Sequence, residues 1–414
     1  MSLRKYIIYS GCISASILIL LSCGKSAENK LPSCVTTESG LIKTFGHYIF
    51  RDLNKNNKLD IYEDSRQPVE LRIKDLLIQM TIEEKAGMMF YSPVRVNKDG
   101  TIEEQPAKDF LSGLSPVGTN EIDKNHITHF NLFSVPAPDT LAIWYNRMQQ
   151  YEEKTRLGIP LTIASDPRNQ GAGGFFSQSA KTFSIWPDPL GLAAIGDEKI
   201  IGQFADISRQ EYLAVGIRQG LHPQVDLATE PRWPRISGTF GEDAELSSSM
   251  TKAYIKSYQG EKIGPNSVAM MTKHFPGGGP QKDGLDPHFD FQKGQVYPGN
   301  NFNYHLIPFE AALKAGTAAI MPYYGVPMGQ ANVEEVGFSY NKAIITALLR
   351  NKYHYDGVVC TDWGLVSDTK LGSFTFAARA WGVEKLNTEE RVQKLIEAGV
   401  DQLGGENLPD IIVK

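Results

Sequence analysis

Basic residues and cysteine are both scarce in this 414-residue chain, and each scarcity excludes something. The 42 Lys and Arg against 47 Asp and Glu leave a formal net charge of −5. No Lys/Arg-rich run occurs along the sequence, so there is no basic field to hold a nucleic acid backbone. The 4 cysteines, Cys12, Cys23, Cys34 and Cys360, are too dispersed to form a disulfide framework. A Cys34–Cys360 bridge stays open, and a small buried free thiol is the expectation for Cys360, which lies in an apolar run. No Gly-rich phosphate turn follows the first strand-like run, which argues against a doubly wound dinucleotide-binding sheet. Internal repeats are absent, and with them solenoids. What remains, 41% hydrophobic and 21% charged, is the composition of a globular protein with a large core. A neutral or polar small molecule is the expected partner.

Long apolar runs are missing everywhere except at the N-terminus. Arg4 and Lys5 precede the apolar stretch from Tyr6 to Leu21, the pattern of an export signal. Leu20-Leu21-Ser22-Cys23 resembles a bacterial lipobox, whose cysteine is lipidated and becomes the mature N-terminus; a plain secretory signal or an uncleaved anchor are the alternatives. The sequence thus predicts a signal peptide over 1–22, lipidation at Cys23 and a polar, aperiodic flexible tether over 23–45. The implied location is a bacterial membrane, on its periplasmic side or at the cell surface, with membrane contact only through the lipid.

Beyond the tether, strand-like runs alternate with helical patterns. Apolar runs bounded by Gly, Pro, Asn or Asp occur at 87–91, 126–133, 159–164, 221–227, 268–274, 318–324, 357–361 and 399–403. Amphipathic stretches lie between them, at 140–156, 200–215, 309–315, 341–351 and 388–398, the last opened by Thr388-Glu-Glu-Arg. Eight strands alternating with helices predict an α/β fold, a (β/α)8 TIM-like barrel over 71–414. Several strand ends carry polar groups, Ser165-Asp166, Asp226, Lys273-His274, Tyr324 and Asp362, where such a barrel gathers its active site. After the eighth run, Pro409-Asp-Ile-Ile-Val reads as the first turn of an eighth helix, with Pro at the first helical position. The expectation is a barrel with that helix truncated and apolar surface left bare beside it.

A lead-in segment, 46–70, precedes the barrel. In it, Asp52-Leu-Asn54-Lys-Asn56-Asn57-Lys58-Leu-Asp60-Ile-Tyr-Glu63 sets oxygen ligands at the spacing of a calcium-binding loop, with the Lys58 carbonyl at the seventh position. Asn57 stands where that loop has glycine, and Asn visits the left-handed region more readily than other residues with a side chain. The alternative is an Asn-rich turn held by its own side chains. A calcium here would be structural; no cofactor is expected for catalysis.

Six motifs carry a resemblance. They are Glu83-Glu-Lys-Ala-Gly-Met-Met, Arg156-Leu-Gly-Ile-Pro-Leu, Trp186-Pro-Asp-Pro-Leu-Gly-Leu-Ala-Ala194, the stretch from Glu230 to Asp243, Lys273-His-Phe-Pro-Gly-Gly-Gly279 and Val359-Cys-Thr-Asp-Trp363. Their order resembles glycoside hydrolase family 3, which implies a retaining, exo-acting β-glycosidase with an N-terminal barrel, of β-glucosidase type, acting on oligosaccharides or glycosides.

Retaining chemistry needs a carboxylate nucleophile and a second carboxylic acid to protonate the leaving oxygen. The resemblance makes Asp362 the nucleophile, with Thr361 in place of the family's serine. It makes Asp166 a sugar-binding carboxylate, Lys273 and His274 donors to the same ring, and Arg235 the second Arg of an Arg-Trp-Gly-Arg motif in which Pro234 replaces glycine. Trp363 offers an apolar face to a pyranose and Tyr324 a hydroxyl near the nucleophile. Adjacent strand residues point to opposite sides, so only one of Lys273 and His274 is expected to face the sugar. In most of the family the acid is a glutamate in a following α/β sandwich domain, which would complement this chain. In the β-N-acetylglucosaminidase branch it is a loop histidine, and Asp286-Pro-His288 resembles that arrangement, making His288 a candidate acid/base. Three readings follow: a β-glucosidase-type hydrolase, a barrel that only binds sugar, and an N-acetylglucosaminidase working through His288.

Overall fold

The computed structural model describes residues 39–106, 114–134, 136–170 and 182–414. The signal peptide, Cys23, Cys34 and most of the tether lie outside the described residues.

Eight parallel strands form one sheet: β1 (Phe90–Val94), β2 (His129–Leu132), β3 (Thr162–Ser165), β4 (Gln219–Gly220), β5 (Ala269–Phe275), β6 (Ala319–Pro322), β7 (Val358–Val359) and β8 (Leu403–Gly404). Neighbours in sequence are neighbours in space, and β8 pairs with β1, Leu403 opposite Phe90. A bridge between Cys360 and Gln402 joins β7 to β8 and closes the ring. This is the expected TIM-like barrel, and seven of the eight apolar runs overlap its strands. The fourth strand sits before its run rather than within it. From Leu221 to Leu227 the chain leaves β4 but continues along β5, with Val225 N–H donating to Lys273 O at 2.7 Å. Leu221, Val225 and Leu227 are buried there, which is why their apolar pattern reads as strand.

The barrel interior is small and apolar: Tyr91, Ala164, Leu221, Met271, Ala319, Met321 and Cys360, with Trp363 against them. Cys360 is a fully buried free thiol, as expected. A larger core lies between strands and the surrounding helices, among them α1 (Val69–Gln79), α2 (Ile82–Gly87), α3 (Gly118–Asn125), α4 (Pro138–Glu152), α5 (Pro189–Ile195), α6 (Glu198–Ala214), α7 (Ala244–Gln259) and α8 (Phe302–Lys314). A π-helix, Ala343–Lys352, follows β6 where the sequence predicts an α-helix. Next come α9 (Thr388–Ala398) and α10 (Pro409–Val413). α9 spans the stretch the sequence predicts, and Asn387 caps it, accepting from Glu390 N–H while the Glu390 carboxylate accepts from Asn387 N–H.

α10 packs against α2 and α9 and brings Ile411 and Ile412 to the core. The bare apolar surface lies on α1, which buries none of its residues and exposes Val69, Leu71, Ile73, Leu77 and Ile78.

The tether ends earlier than the sequence suggests. Ile42–Phe45 pairs antiparallel with Tyr48–Arg51. Gly46, with φ of 60°, opens the two-residue loop between them and supplies the left-handed conformation such a hairpin needs. Ile42 and Phe45 are exposed, so no alternating pattern announced this strand.

Residues 52–63 curl into a loop in which both Lys55 and Asn57 take φ of 60°. The Asp52 carboxylate accepts from Asn56 and Asn57 N–H, and Glu63 from Leu53 N–H. Asn54 and Asn56 amides both reach Asp60, at 2.7 and 2.6 Å, and Lys58 N–H donates to the Asn56 side chain. The sixth position therefore has the backbone a calcium loop requires, while the side chains close on one another. Among the described residues no group of three or more His, Cys, Asp or Glu is arranged to hold a metal.

Candidate active site

The carboxylate of Asp362 sits just past β7, at the C-terminal end of the barrel. Its two oxygens are in different situations. Oδ1 is held by Trp363 N–H at 2.8 Å and by the Tyr324 hydroxyl at 2.8 Å. That hydroxyl is also 2.7 Å from the Trp363 carbonyl, and with one proton it serves one of the two at a time. Oδ2 is buried and has no hydrogen-bond partner; His274 Nε2 stands 3.7 Å from it. Thr361, where the family pattern has serine, uses its hydroxyl to accept from Gly404 N–H at 2.8 Å, tying the segment that carries Asp362 to β8.

Asp166, just past β3, faces Lys273 from β5. Lys273 Nζ is 2.9 Å from Asp166 Oδ1, and Asn131 Nδ2, on β2, is 3.4 Å from Oδ2. Burial pushes the Asp166 carboxyl up, but the Lys273 ammonium overcomes it and holds the group below the ordinary range, so it is ionised at neutral pH.

Lys273 and His274 both reach the site, against the expectation that only one would. Pairing between β5 and β6 shifts register between Lys273 and Phe275, and the irregularity breaks strict alternation. His274 Nδ1 is 2.8 Å from Asp226 Oδ2, while its Nε2 faces Asp362. Burial, then the nearby Arg235 cation, drives the His274 ring well below its usual range, so it is neutral. Asp226 itself is pushed up to about 6 by burial, against the N–H groups of Gly278 and His274 that it accepts from. Gly278 and Gly279 must lack side chains for this turn: a Cβ at Gly279 would lie 1.7 Å from Leu227 O.

Arg235 is held above its usual range: burial would lower it, and the surrounding Tyr323, Asp286, Asp362 and Asp226 outweigh that. One guanidinium nitrogen, Nη2, is 3.4 Å from Gln224 Oε1; the other, Nη1, is buried without a partner. Pro234 therefore does not carry Arg235 away from the site. Trp363 packs edge-on to Tyr91, with ring centroids 5.8 Å apart, and its Nε1 is likewise buried and unpaired.

His288 lies close by, its ring centroid 4.6 Å from that of Tyr324. Nδ1 bonds Asp286 Oδ1, while Asp286 Oδ2 accepts from Trp233 Nε1 at 3.0 Å and the Tyr323 hydroxyl at 2.9 Å. Burial would raise the Asp286 carboxyl, but His288 and Arg235 hold it below its ordinary range. Burial lowers the His288 ring despite that carboxylate. The pair is thus a neutral imidazole with Nδ1–H on a carboxylate, and its other nitrogen is an acceptor rather than an acid.

Asn131, Asp226, Tyr323 and Arg379 belong to the site without having been assigned to it from sequence, although Asp226 had shown as a polar strand end; Asp286 had been singled out only with His288. The loop after Asp362 is fixed from β8, where buried Glu406 accepts from Val366 and Ser367 N–H at 2.7 and 3.0 Å. Burial pushes Glu406 up to about 7.

Residues 111–403 match the family description "Glycosyl hydrolase family 3 N terminal domain". A β-glucosidase C from Emericella nidulans is 50% identical over 368 residues, covering 88% of this chain and 57% of that protein. A periplasmic β-glucosidase/β-xylosidase from Dickeya chrysanthemi is 41% identical over 386 residues, 89% of this chain and 58% of that one. The chain thus spans little more than half the length of these relatives. Among solved structures, a β-glucosidase from Listeria innocua in complex with laminaribiose superposes with a TM-score of 0.62 at 24% identity, over 83% of this chain and 42% of that one. With the family pattern matched across most of its length and the barrel of such enzymes in its fold, the chain belongs to glycosyl hydrolase family 3.

Proposed function

We propose that the protein is an exported, retaining exo-β-glycosidase of β-glucosidase type that removes terminal β-linked glucose or a related sugar. One observation carries this reading: the Asp362 Oδ2 is buried and unpaired among other buried, unpaired polar atoms, Arg235 Nη1, Trp363 Nε1 and Asn131 Oδ1. Orphaned polar atoms are costly in a folded protein. A polyol that donates to the oxygens and accepts from the nitrogens satisfies all four. Asp166, Lys273, His274 and Arg235 then fix the ring, and Oδ2 attacks the anomeric carbon as the bond to the leaving oxygen breaks. The leaving oxygen takes a proton from an acid; water then gives a proton back to that acid's conjugate base as its oxygen bonds to the anomeric carbon and the bond to Asp362 breaks, returning both carboxyl groups to their starting states.

His288, neutral and with its Nδ1–H on Asp286, has no proton to give the leaving group, so the N-acetylglucosaminidase reading is not favoured. In this reading the acid comes from a sandwich domain of the kind the family resemblance implies. Export and lipidation at Cys23 rest on the leader, and relatives from Dickeya chrysanthemi and Salmonella typhimurium are named as periplasmic. The test is product stereochemistry: from an aryl β-glucoside the protein releases β-glucose first, followed by mutarotation. Release of the α-anomer first contradicts a retaining mechanism.

The lead-in loop is proposed to take a structural calcium, on the strength of Asn57 in the left-handed conformation at its sixth position. Millimolar calcium is expected to raise the melting temperature by a few degrees, equivalent to about 1 kcal/mol or more. Glu63→Gln abolishes the rise; a melting curve indifferent to calcium and chelator removes the proposal.

A further inference from the structure

The end of the barrel opposite Asp362 carries a cavity that glycoside chemistry does not use. Its lining comes from the segments leading into β2 and β3, at the N-terminal ends of the strands, where a barrel of this kind keeps no catalytic groups. The cavity encloses about 200 Å³. A cavity of about 150 Å³ already holds a benzene-sized molecule. Part of the lining is apolar, from Ile122, Leu157 and Ile159, and part carries the carboxyl groups of Glu84, Asp123 and Glu152.

The three carboxyl groups differ in what neutralises them. Glu84 is paired with Arg156, whose Nε lies 3.0 Å from it. Asp123 is exposed at the rim and accepts from the Tyr151 hydroxyl at 2.6 Å. Glu152, the last residue of α4, is 4% exposed and has no ion-pair partner among the described residues. Lys55, which acts on it from the lead-in loop, bonds the Thr155 carbonyl instead. One oxygen of Glu152, Oε1, is 2.9 Å from the Thr155 hydroxyl, but that hydroxyl is equally close to the Glu152 carbonyl and has one proton for the two. The other, Oε2, accepts no hydrogen bond from any described residue. Burial, with Asp123 and Glu84 adding to it, pushes this carboxyl up to about 8 against the pull of Thr155 and Lys55. Among the described residues, the carboxyl groups are not arranged as metal ligands. A buried acid short of donors beside an apolar wall is complemented instead by an organic cation that brings its own N–H groups.

We propose that this cavity is a binding site for a primary alkylammonium, with the N–H groups donated to Glu152 and to the Thr128 and Thr155 hydroxyls and the hydrocarbon chain laid against Ile122, Leu157 and Ile159. The site is independent of the glycosidase reading. Binding breaks the O–H bond of Glu152, the proton passes to solvent, and the ammonium stands against the carboxylate that remains. Ligand and proton therefore compete. An alkylammonium titrates near ~10.4, as lysine does. It keeps its charge while Glu152 loses its proton, so affinity rises with pH until the carboxyl is ionised in the free protein. Asp123, Glu84, Arg156, Lys55 and His126 are the other charged or titratable groups around Glu152, and Glu152→Gln separates its proton from theirs.

The test titrates the full chain calorimetrically with n-butylammonium chloride at fixed ionic strength, with 1-butanol as the uncharged match. At pH 7 binding is expected to release nearly one proton, read from the change in heat among buffers of different ionisation enthalpy. Affinity is expected to rise roughly tenfold between pH 7 and pH 9, following ionisation of a group at about 8. Glu152→Gln keeps an acceptor for Thr155 and is expected to abolish both binding and proton release; Asp362→Asn is expected to change neither. Melting temperatures check that both variants are folded. Should Glu152→Gln not fold, Asp123→Asn at the rim is expected to weaken binding roughly two- to fivefold, and an unchanged affinity there counts against the site. No binding at pH 9, equal binding of 1-butanol, an affinity indifferent to pH, or binding that survives Glu152→Gln or fails in Asp362→Asn overturns it.

Discussion

Asp362→Asn should reduce turnover of an aryl β-glucoside by at least about 10^4-fold, the range that removal of a catalytic nucleophile costs. The amide is nearly isosteric and can keep the Oδ1 contacts with Trp363 N–H and Tyr324. What it loses is the negative charge and the nucleophilic lone pair on the buried Oδ2. The substitution puts an NH2 or a carbonyl where an unpaired oxygen stood, so affinity for a sugar is expected to change far less than rate. Comparing turnover with thioglucoside affinity separates these effects. A variant retaining more than about a hundredth of the wild-type rate contradicts a nucleophilic role.

Asp166→Ala is expected to lower kcat/KM by roughly 10^2- to 10^4-fold. Two charge-assisted hydrogen bonds to neighbouring hydroxyls, each worth about 1.5 to 3 kcal/mol, set that range. The variant also strands the Lys273 ammonium, whose side chain is 9% exposed, without its carboxylate. Removing one partner of such a pair destabilises by about 3 to 5 kcal/mol, so melting temperature must be followed alongside. Asp166→Asn separates the two losses, since an amide keeps one acceptor near Lys273 while giving up the charge. It should fall between wild type and Ala in kcat/KM. If Ala costs less than about tenfold at full folding, Asp166 does not hold the sugar.

The barrel was legible in the sequence because its strands are short apolar runs bounded by turn residues, and because polar groups cluster where those runs end. Where apolar burial and strand pairing part company, the reading slipped. The run from Leu221 to Leu227 is buried but mostly unpaired, and Ile42–Phe45 is paired but exposed. The wider pitch of Ala343–Lys352 leaves no mark on its periodicity. Asp362, Asp166, Lys273 and His274 were legible through motifs that are local in sequence. The pairing of Asp226 with His274, Asn131 beside Asp166 and Arg379 over Tyr324 were not. Each is set by contacts between elements far apart in the chain, which no local pattern encodes. The same limit applies to alternation: it pointed one of Lys273 and His274 away from the site, and a register shift turned both towards it.

Covalent trapping of the nucleophile tests the central claim most directly. A 2-deoxy-2-fluoro-β-glucoside with a strongly activated leaving group needs little help from an acid, so attack depends on the barrel's own carboxylate. Incubation followed by digestion and mass spectrometry should give one fluoroglucosyl adduct per chain, on the peptide containing Asp362, and none in the Asp362→Asn variant. An adduct on any other carboxylate, or an adduct that survives in that variant, contradicts the assignment of Asp362 as the nucleophile.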